Sequence, residues 1–406
     1  MNILNKKNKL SVLISLLMAA QSLLFAEVSF SGFAGAKADL YSNDPDEFDT
    51  GLNIQSFFSG QLSLSNNIIF NAEFSLATED VIENSIFKEA GATFKIDELS
   101  LVFRKQFSLG TNYLSAFVGT YEPIGSDIFL RRQFGLKPVA SKITESWLGL
   151  SGSIIYPVFG VGGANVLHFA KAPLAAGIYI YVNHELEDSY VFNGDLRFAG
   201  NYRYFTFDFA TGLGLPLESD TDDDFAAIKT LYWRAGANIL VGNAETTSLF
   251  IQTGFSELKF KKGKNKVDLN KDTAYLLFEP RFKTKQLQAH LSVFTFPEET
   301  AEKFIFLNGK TGANLNLFSD SLYLWNRNFT IGMNAAFAFP EKNIWEVFED
   351  MSDITEDDYN ITVAPYVMAQ FYNGEVHFMT QILISELMDT NFGSAFKFNM
   401  GYKTQF

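Results

Sequence analysis

The side chains of this chain that could do chemistry recur at every second position within apolar stretches. Glu279 and Arg281 are two residues apart, and Phe278 and Phe282 hold the alternate positions beside them. A β-strand sends successive side chains to opposite faces, so this spacing predicts strands with one charged and one apolar face. A charged strand face can line a water-filled passage, in which rings of one charge select ions of the other.

The same alternation assigns ten ionisable side chains to the inner face of a barrel. A charge at the midplane of a lipid-facing surface would cost about 2 to 4 kcal/mol, which favours the inward assignment. Acids and bases are nearly balanced in this set, so no ion selectivity is predicted. The predicted pore-lining residues are Lys37, Glu73, Glu98, Arg104, Asp208, Arg234, Glu279, Arg281, His290 and His377.

Catalytic and metal-binding chemistry has little support. The chain has 4 His and no Cys, and it lacks a nucleophile elbow, a phosphate-binding glycine loop and a zinc-binding HExxH helix. A hydrolase with His290 or His377 as its base is the remaining enzyme alternative. The acids of 218–224 lack the spacing of a calcium-binding hand, so a solvated loop is expected there. We therefore predict no enzyme, no metal and no cofactor.

Composition and periodicity together predict the elements that position these residues. Hydrophobic residues make up 47% of the chain and 43 residues are Phe, yet beyond residue 26 the apolar residues alternate rather than run continuously. Only helices or closed barrels satisfy every backbone polar group in lipid. Eighteen strands are predicted, at 28–40, 52–64, 68–76, 99–107, 113–121, 147–169, 176–182, 190–198, 205–215, 231–241, 247–255, 274–282, 287–295, 304–317, 329–337, 361–371, 376–384 and 392–406.

The predicted fold class is all-β: a membrane-spanning antiparallel up-and-down β-barrel of about 18 strands, with short periplasmic turns and long extracellular loops. Sixteen strands remain an alternative if two segments lie in loops. A propeller or solenoid would need a repeat of fixed period, and none is present. The net charge of −14 argues against a nucleic-acid partner.

The amino-terminal residues predict export. Lys6, Lys7 and Lys9 precede an apolar stretch from 10 to 25, which is typical of a secretory signal peptide. We predict a signal peptide at 1–26 and one barrel domain at 27–406. The absence of Cys excludes disulfides and a lipid-anchored lipoprotein.

The last strand carries a recognisable pattern. Phe398, Tyr402 and Phe406 share one face of 398–406, and Phe406 is the last residue. This pattern resembles the closing strand of bacterial outer-membrane β-barrels, and the mature chain resembles a porin in fold. The resemblance implies an outer-membrane location with both termini periplasmic, contact with outer-membrane lipid, and recognition of this strand by the barrel-assembly machinery. A homotrimer is compatible with it.

In porins, a long loop early in the chain folds inward and narrows the pore. The connection 122–143 carries Arg131, Arg132 and Lys137 among apolar residues and is the first candidate; the acidic 78–96 is the second. The favoured interpretation is plainer: both are solvated outer loops.

The resemblance implies a channel for passive diffusion of small hydrophilic solutes or ions. Two alternatives stay open: a surface adhesin or antigen that displays loops on a barrel, and a selective transporter of hydrophobic compounds.

Overall fold

The computed structural model describes residues 28–42, 50–82, 91–136, 139–144, 154–186, 189–216, 230–243, 246–261, 267–301, 304, 306–349, 352, 354–355, 358–388 and 394–406. The predicted signal peptide lies outside these residues. The strands are β1 Ser29–Ser42, β2 Thr50–Ser65, β3 Ile68–Thr78, β4 Ala92–Gln106, β5 Gly110–Thr120, β6 Phe159–Phe169, β7 Leu174–Leu186, β8 Ser189–Tyr202, β9 Phe205–Pro216, β10 Thr230–Gly242, β11 Thr247–Lys261, β12 Val267–Leu269, β13 Ala274–Lys283, β14 Gln288–Thr295, β15 Thr311–Leu324, β16 Arg327–Phe339, β17 Asn360–Phe371, β18 Gly374–Leu383 and β19 Phe396–Gln405.

These strands form one closed antiparallel barrel. Each pairs with its neighbours in the chain, except that β11 pairs with β13 directly and the short β12 pairs only with the end of β11. The wall therefore has 18 strands, as the sequence predicts. It closes where β1 pairs with β19, from Phe33 opposite Gln405 to Leu40 opposite Phe398. The closed wall confirms the resemblance to outer-membrane barrels at the level of architecture.

The wall is polar inside and apolar outside. In β14, His290, Ser292 and Phe294 are buried on the inner face, whereas Leu291 and Val293 are 46% and 43% exposed on the outer face. A soluble sheet would bury those apolar side chains against a second layer. An apolar outer face on a closed wall with no free edges is the arrangement that lipid requires.

Connections at one end of the barrel, the turn end, are two to four residues long; those at the other, the loop end, include 121–158, 296–310 and 340–359. The described part of the chain has four short α-helices in loop-end connections: α1 Ile128–Phe134, α2 Glu298–Ala301, α3 Ile344–Glu349 and α4 Ile384–Met388. None of the described helices is long and apolar enough to cross a membrane.

Several predicted turns are displaced. The turn expected at 319–321 lies instead at Trp325 and Asn326, whose φ angles are 48° and 60°, and β15 runs past a bulge between Ser319 and Leu322. Two central residues with positive φ are what a tight hairpin requires, and Asn tolerates that conformation. Two further turns move from 110–112 to 107–109 and from 200–201 to 203–204.

The turn predicted at Asn373 and Gly374 is shifted by one residue. Phe371 pairs with Gly374, so Tyr372, with φ of 52°, and Asn373 form the loop. Gly374 belongs to β18, where a Cβ atom would lie 2.4 Å from the carbonyl oxygen of Lys403. Close strand packing, rather than turn geometry, requires this glycine.

Two predicted strands are wrong at their starts. Of the strand predicted at 147–169, residues 147–153 lie outside the described residues, and β6 begins at Phe159. The strand predicted from 304 begins at Thr311. Just before β6, Ile155 and Tyr156 are buried inside the barrel, and Pro157 has no N–H to donate to a ladder. The loop predicted at 78–96 is also too long, because β4 begins at Ala92.

Candidate functional site: the barrel lumen

The connection between β5 and β6 lies inside the barrel wherever the structure describes it. We call its described residues, 121–136, 139–144 and 154–158, the inner segment. Every residue from Tyr121 to Leu130 is buried, and α1 ends at Phe134 and is followed by Gly135, which has a φ of 62°. Ile124 forms a β-bridge with Tyr156, which joins the two ends of the segment. The favoured interpretation of 122–143 as a solvated outer loop is therefore wrong.

Apolar packing holds the inner segment against one side of the wall. Ile124, Phe129, Leu130, Ile143 and Ile155 from the segment form one buried cluster with wall residues of β5 to β14. The wall contributes aromatic side chains to this cluster, among them Phe117, Tyr179, Phe250, Tyr275 and Phe294. Aromatic residues on an inner barrel face are thus explained by packing against a chain segment.

A second connection adds to the same cluster. Between β14 and β15, the side chains of Phe296, Phe304 and Leu307 are buried within it. Phe296 stacks at an angle on Tyr275, with 4.8 Å between the ring centroids. The filled part of the lumen is therefore built from two loop-end connections.

Polar contacts tie the inner segment to seven strands, one of them β5, where the Tyr121 hydroxyl donates to Ser115 at 2.8 Å. Arg132 donates from Nη2 to both oxygens of Glu98 on β4, at 2.9 and 2.8 Å, and the Tyr179 hydroxyl of β7 donates to Glu122 at 2.7 Å. Arg281 of β13 donates to the carbonyl of Val139 at 3.2 Å. Further donors to segment backbone are Arg197 of β8, Asn238 of β10 and Gln252 of β11, and Ser141 donates to Glu279.

Arg197 is the most enclosed of the wall cations. Its guanidinium donates from Nε to Asp208 at 2.8 Å and from Nη1 to the backbone carbonyl of Glu122 at 2.6 Å, and it lies 4.2 Å from the ring centroid of Phe129. Arg234 pairs with Asp195 at 2.9 Å and lies over the ring of Tyr156. Each cation therefore pairs with a wall acid and packs on a segment ring, which combines ionic and cation–π attraction.

Buried charge makes this arrangement specific. Burial raises the pKa of Glu122, and the nearby guanidiniums of Arg132 and Arg197 oppose that rise. Removing one partner of a buried ion pair leaves an uncompensated charge and costs about 3 to 5 kcal/mol. The charges of the wall and segment therefore restrict the segment to this position.

The other side of the segment borders open space. A cavity of about 660 Å³, here called the lateral cavity, separates the segment from the wall of β19 and β1 to β5. The cavity is lined by polar and charged side chains from both sides. They include Ser59, Asn71, Glu73 and Lys403 on the wall and Arg131, Arg132 and Gln133 on the segment.

Of the predicted pore-lining residues, the structure places Glu73 on the lateral cavity. Most others bind each other or the segment: Glu98 binds Arg132, and Glu279 contacts both Arg281 at 2.7 Å and His290 at 3.5 Å. The remaining placements are Asp208 with Arg197, Arg234 with Asp195, Lys37 with Asp39, His377 with Asn399, and Arg104 exposed near the turn end.

Of the predicted constriction residues, Arg131 and Arg132 lie on α1 and line the cavity, while Lys137 lies outside the described residues. Phe398, Tyr402 and Phe406 share the outer face of the closing seam, where the Phe406 ring stacks on Phe30 at 5.2 Å.

Sequence reasoning missed Asp195, Arg197 and Glu122. Asp195 and Arg197 occupy alternate positions of β8, which place them on its inner face, so the sequence contained a signal for them. Glu122 had none, because it follows β5 in a connection that alternation does not describe.

No protein-family model matches the sequence, and no curated protein matches it. Among solved structures, the chain is similar to OmpF of Salmonella typhi in complex with daunomycin, with a TM-score of 0.43 and 10% identity over 93% of this chain and 97% of that one. It is also similar to a triple mutant of the Rhodopseudomonas blastica porin, with a TM-score of 0.43 and 9% identity over 93% and 100% of the two chains.

A third similar structure is Wzi of Escherichia coli, an outer-membrane protein of group 1 capsule assembly described as a carbohydrate-binding β-barrel. The TM-score is 0.46 and the identity 9%, over 99% of this chain and 89% of that one. Similarities at these values carry no argument about what this barrel binds or transports.

Proposed function

We propose that this chain is an outer-membrane channel for passive diffusion of small hydrophilic solutes, with the lateral cavity as the narrow part of their path. The observation that carries the proposal is the cavity of about 660 Å³ left between the inner segment and the wall. A barrel of this strand number is wide enough for an aqueous channel, even after part of its lumen is filled.

The membrane location is supported by the outer face of the wall. Exposed apolar side chains such as Leu291, Val293, Ile331 and Met333 belong to strands whose inner faces are polar. In water this surface would promote aggregation, whereas in lipid it is the stable arrangement. By the same proposal the loop end is extracellular, the termini are periplasmic, and residues 1–26 are a signal peptide.

Different residues take different roles in this proposal. Glu73, Arg131 and Arg132 line the solute path. Glu98, Asp208, Arg234, Glu279, Arg281 and His290 instead lie on the wall that holds the inner segment. Phe398, Tyr402 and Phe406 form the assembly signal for the barrel-assembly machinery, and the apolar outer face serves lipid or, in a homotrimer, a neighbouring copy.

Conductance in a planar lipid bilayer tests the proposal. Purified, heat-modifiable protein should give stepwise current openings in potassium chloride. A matched variant with the cavity narrowed, Ser59→Trp, should give smaller steps, because Ser59 lines the cavity. A folded barrel that gives no current would overturn the channel.

The filled side of the lumen favours a second function, that of a closed barrel that displays its loops for binding. Arg197, Arg234 and the apolar cluster fix the inner segment with buried contacts. A silent barrel in the bilayer experiment, together with binding of the protein to host surfaces, would support this function instead.

A further inference from the structure

We propose that the lateral cavity contains a site for the ammonium group of a small solute, with Glu73 as the anionic partner and Gln133 as a second hydrogen-bond acceptor. The inference rests on the proposed function in that a solute must reach the cavity. It goes further by assigning the chemical class that is recognised there.

Glu73 is a buried carboxylate with one unpaired oxygen. It lines the cavity from β3 and is only 6% exposed. The Ser59 hydroxyl donates to its Oε1 at 2.7 Å, whereas Oε2 receives no hydrogen bond within the described part of the chain. A buried carboxylate oxygen that receives no hydrogen bond is destabilising, so a donor from the cavity to Oε2 would stabilise this side chain.

The neighbouring acid increases the need for a cation. Glu73 lies directly opposite Glu98 in the pairing of β3 with β4. Arg132 satisfies both oxygens of Glu98, and among the described residues no basic side chain is within ion-pair distance of Glu73. Arg132 therefore pairs with Glu98 and Glu122, and Glu73 is left without an ion-pair partner of its own among the described residues.

The opposite side of the cavity offers another acceptor. Gln133 on α1 is 7% exposed, and its Oε1 receives no hydrogen bond within the described residues. A carboxylate and an amide oxygen are both acceptors, so they complement a group that carries several donors and a positive charge. A protonated primary amine has three donors and fits this chemistry.

Basic side chains at the cavity are already engaged. Arg131 pairs with Asp127 at 3.2 Å, Arg132 is held by Glu98, and the Lys403 ammonium lies 5.8 Å from the ring centroid of Phe33. None of these three bases forms an ion pair with Glu73, so Oε2 of Glu73 is open to an ammonium group from solution.

Block of the single-channel current by butylammonium tests the site. Tetramethylammonium, which has the charge but no donors, and 1-butanol, which has no charge, are the comparison probes. We expect butylammonium to reduce the current, with about tenfold weaker inhibition after Glu73→Gln, because a charge-assisted hydrogen bond is lost. Asp320→Asn is the matched control, since Asp320 binds Gln288 and does not line the cavity.

Equal inhibition of the original protein and Glu73→Gln, or equal inhibition by tetramethylammonium, would overturn the ammonium site and leave the channel intact. If the folded barrel gives no current, the channel fails, and butylammonium is titrated calorimetrically into the detergent-folded protein. Heat of binding that disappears with Glu73→Gln would then support the site, and its absence in the original protein would overturn it.

A cysteine probe checks access independently of current. Because the chain has no Cys, Gln133→Cys would be its one thiol. An ammonium-bearing methanethiosulfonate should label it in the folded barrel faster than a neutral one of the same size, and Glu73→Gln should abolish that preference. Equal labelling rates in the presence of Glu73 would contradict the proposal.

Discussion

The inner faces of β7 to β14 and those of β1 to β3 carry the same alternation of polar and apolar residues, yet they meet different surroundings. On the first side, Arg197 and Arg234 pair with wall acids and pack on rings of the inner segment. On the second side, Asn71 and Glu73 face the lateral cavity. The alternation along a strand therefore predicts which charged side chains lie on the inner face of the barrel. It does not predict whether such a side chain binds another part of the protein or faces solvent.

The largest effect, a rise in single-channel conductance, should follow from removing the part of the inner segment that fills one side of the lumen. Replacement of 124–136 by a Gly/Ser linker of equal length removes α1 and its contacts. We expect single-channel conductance to rise about two- to fivefold, because a wall of this size encloses a wide lumen. Replacement of α3, Ile344–Glu349, by the same linker is the control. Unchanged conductance in the first variant would show that the segment does not narrow the path.

Breaking one buried pair on the filled side should destabilise the barrel. Arg197→Met leaves Asp208 buried without its cation and should lower the free energy of unfolding by about 3 to 5 kcal/mol. Urea unfolding in lipid vesicles, followed by Trp fluorescence, measures it. Arg203→Met, at an exposed turn, is the control. Equal losses in the two variants would contradict a fixed inner segment.

Addition of Asp208→Leu to Arg197→Met should recover part of that loss. The paired replacement removes the orphaned carboxylate, and replacing both members of a buried ion pair by apolar residues is often neutral. A double variant less stable than Arg197→Met alone would assign the stabilisation to Asp208 itself.

The closing seam lies on the other side of the barrel, beside the lateral cavity. Phe406 exchanges two backbone hydrogen bonds with Gly32, each at 3.0 Å, and its ring stacks on Phe30 and Phe58. Phe406→Ala keeps the backbone bonds and should cost about 1 kcal/mol of stability. Deletion of Phe406 should lower outer-membrane yield several-fold. Unchanged yield after deletion would count against an assembly signal.

The smallest effect on stability is expected at the cavity surface. Arg131 is 44% exposed and pairs with Asp127 at 3.2 Å, so Arg131→Gln should change the unfolding free energy by less than about 1 kcal/mol. Its neighbour provides the contrast, since Arg132→Gln breaks the bidentate contact with Glu98. Similar unfolding curves for the two variants would remove the distinction between exposed and anchoring cations on α1.

Much of the wall could be predicted because β-strand alternation is local. The alternation of polar Glu279 and Arg281 with apolar Phe278 is visible within a few residues of sequence. The structure places the two polar side chains on the inner face and Phe278 on the outer face, as predicted. Turn positions were less predictable. Ser319 to Ser321 look like a turn, but the pairing of β15 with β16 continues through a bulge to Trp325.

The anchoring side of the site could be predicted only in part. Asp208 and Arg234 were assigned to the lumen by parity, but their partners Arg197 and Asp195 were not singled out. Glu122 and Tyr156 lie in a connection where no period applies, so their roles depend on which strands surround them.

The sequence by itself determined a closed barrel of about 18 strands, its polar inner face and its closing strand, because each follows from alternation and from the need to pair every backbone group in lipid. Only the tertiary structure decided that the inner segment lies within the lumen and packs against one side of the wall. That outcome depends on contacts between distant residues, such as Ser141 with Glu279 and Arg132 with Glu98, which are 138 and 34 positions apart. The free energy of burying the segment depends on the complementary charges and the volume of the assembled wall. Because these come from residues that are far apart in sequence, no local sequence pattern predicts them.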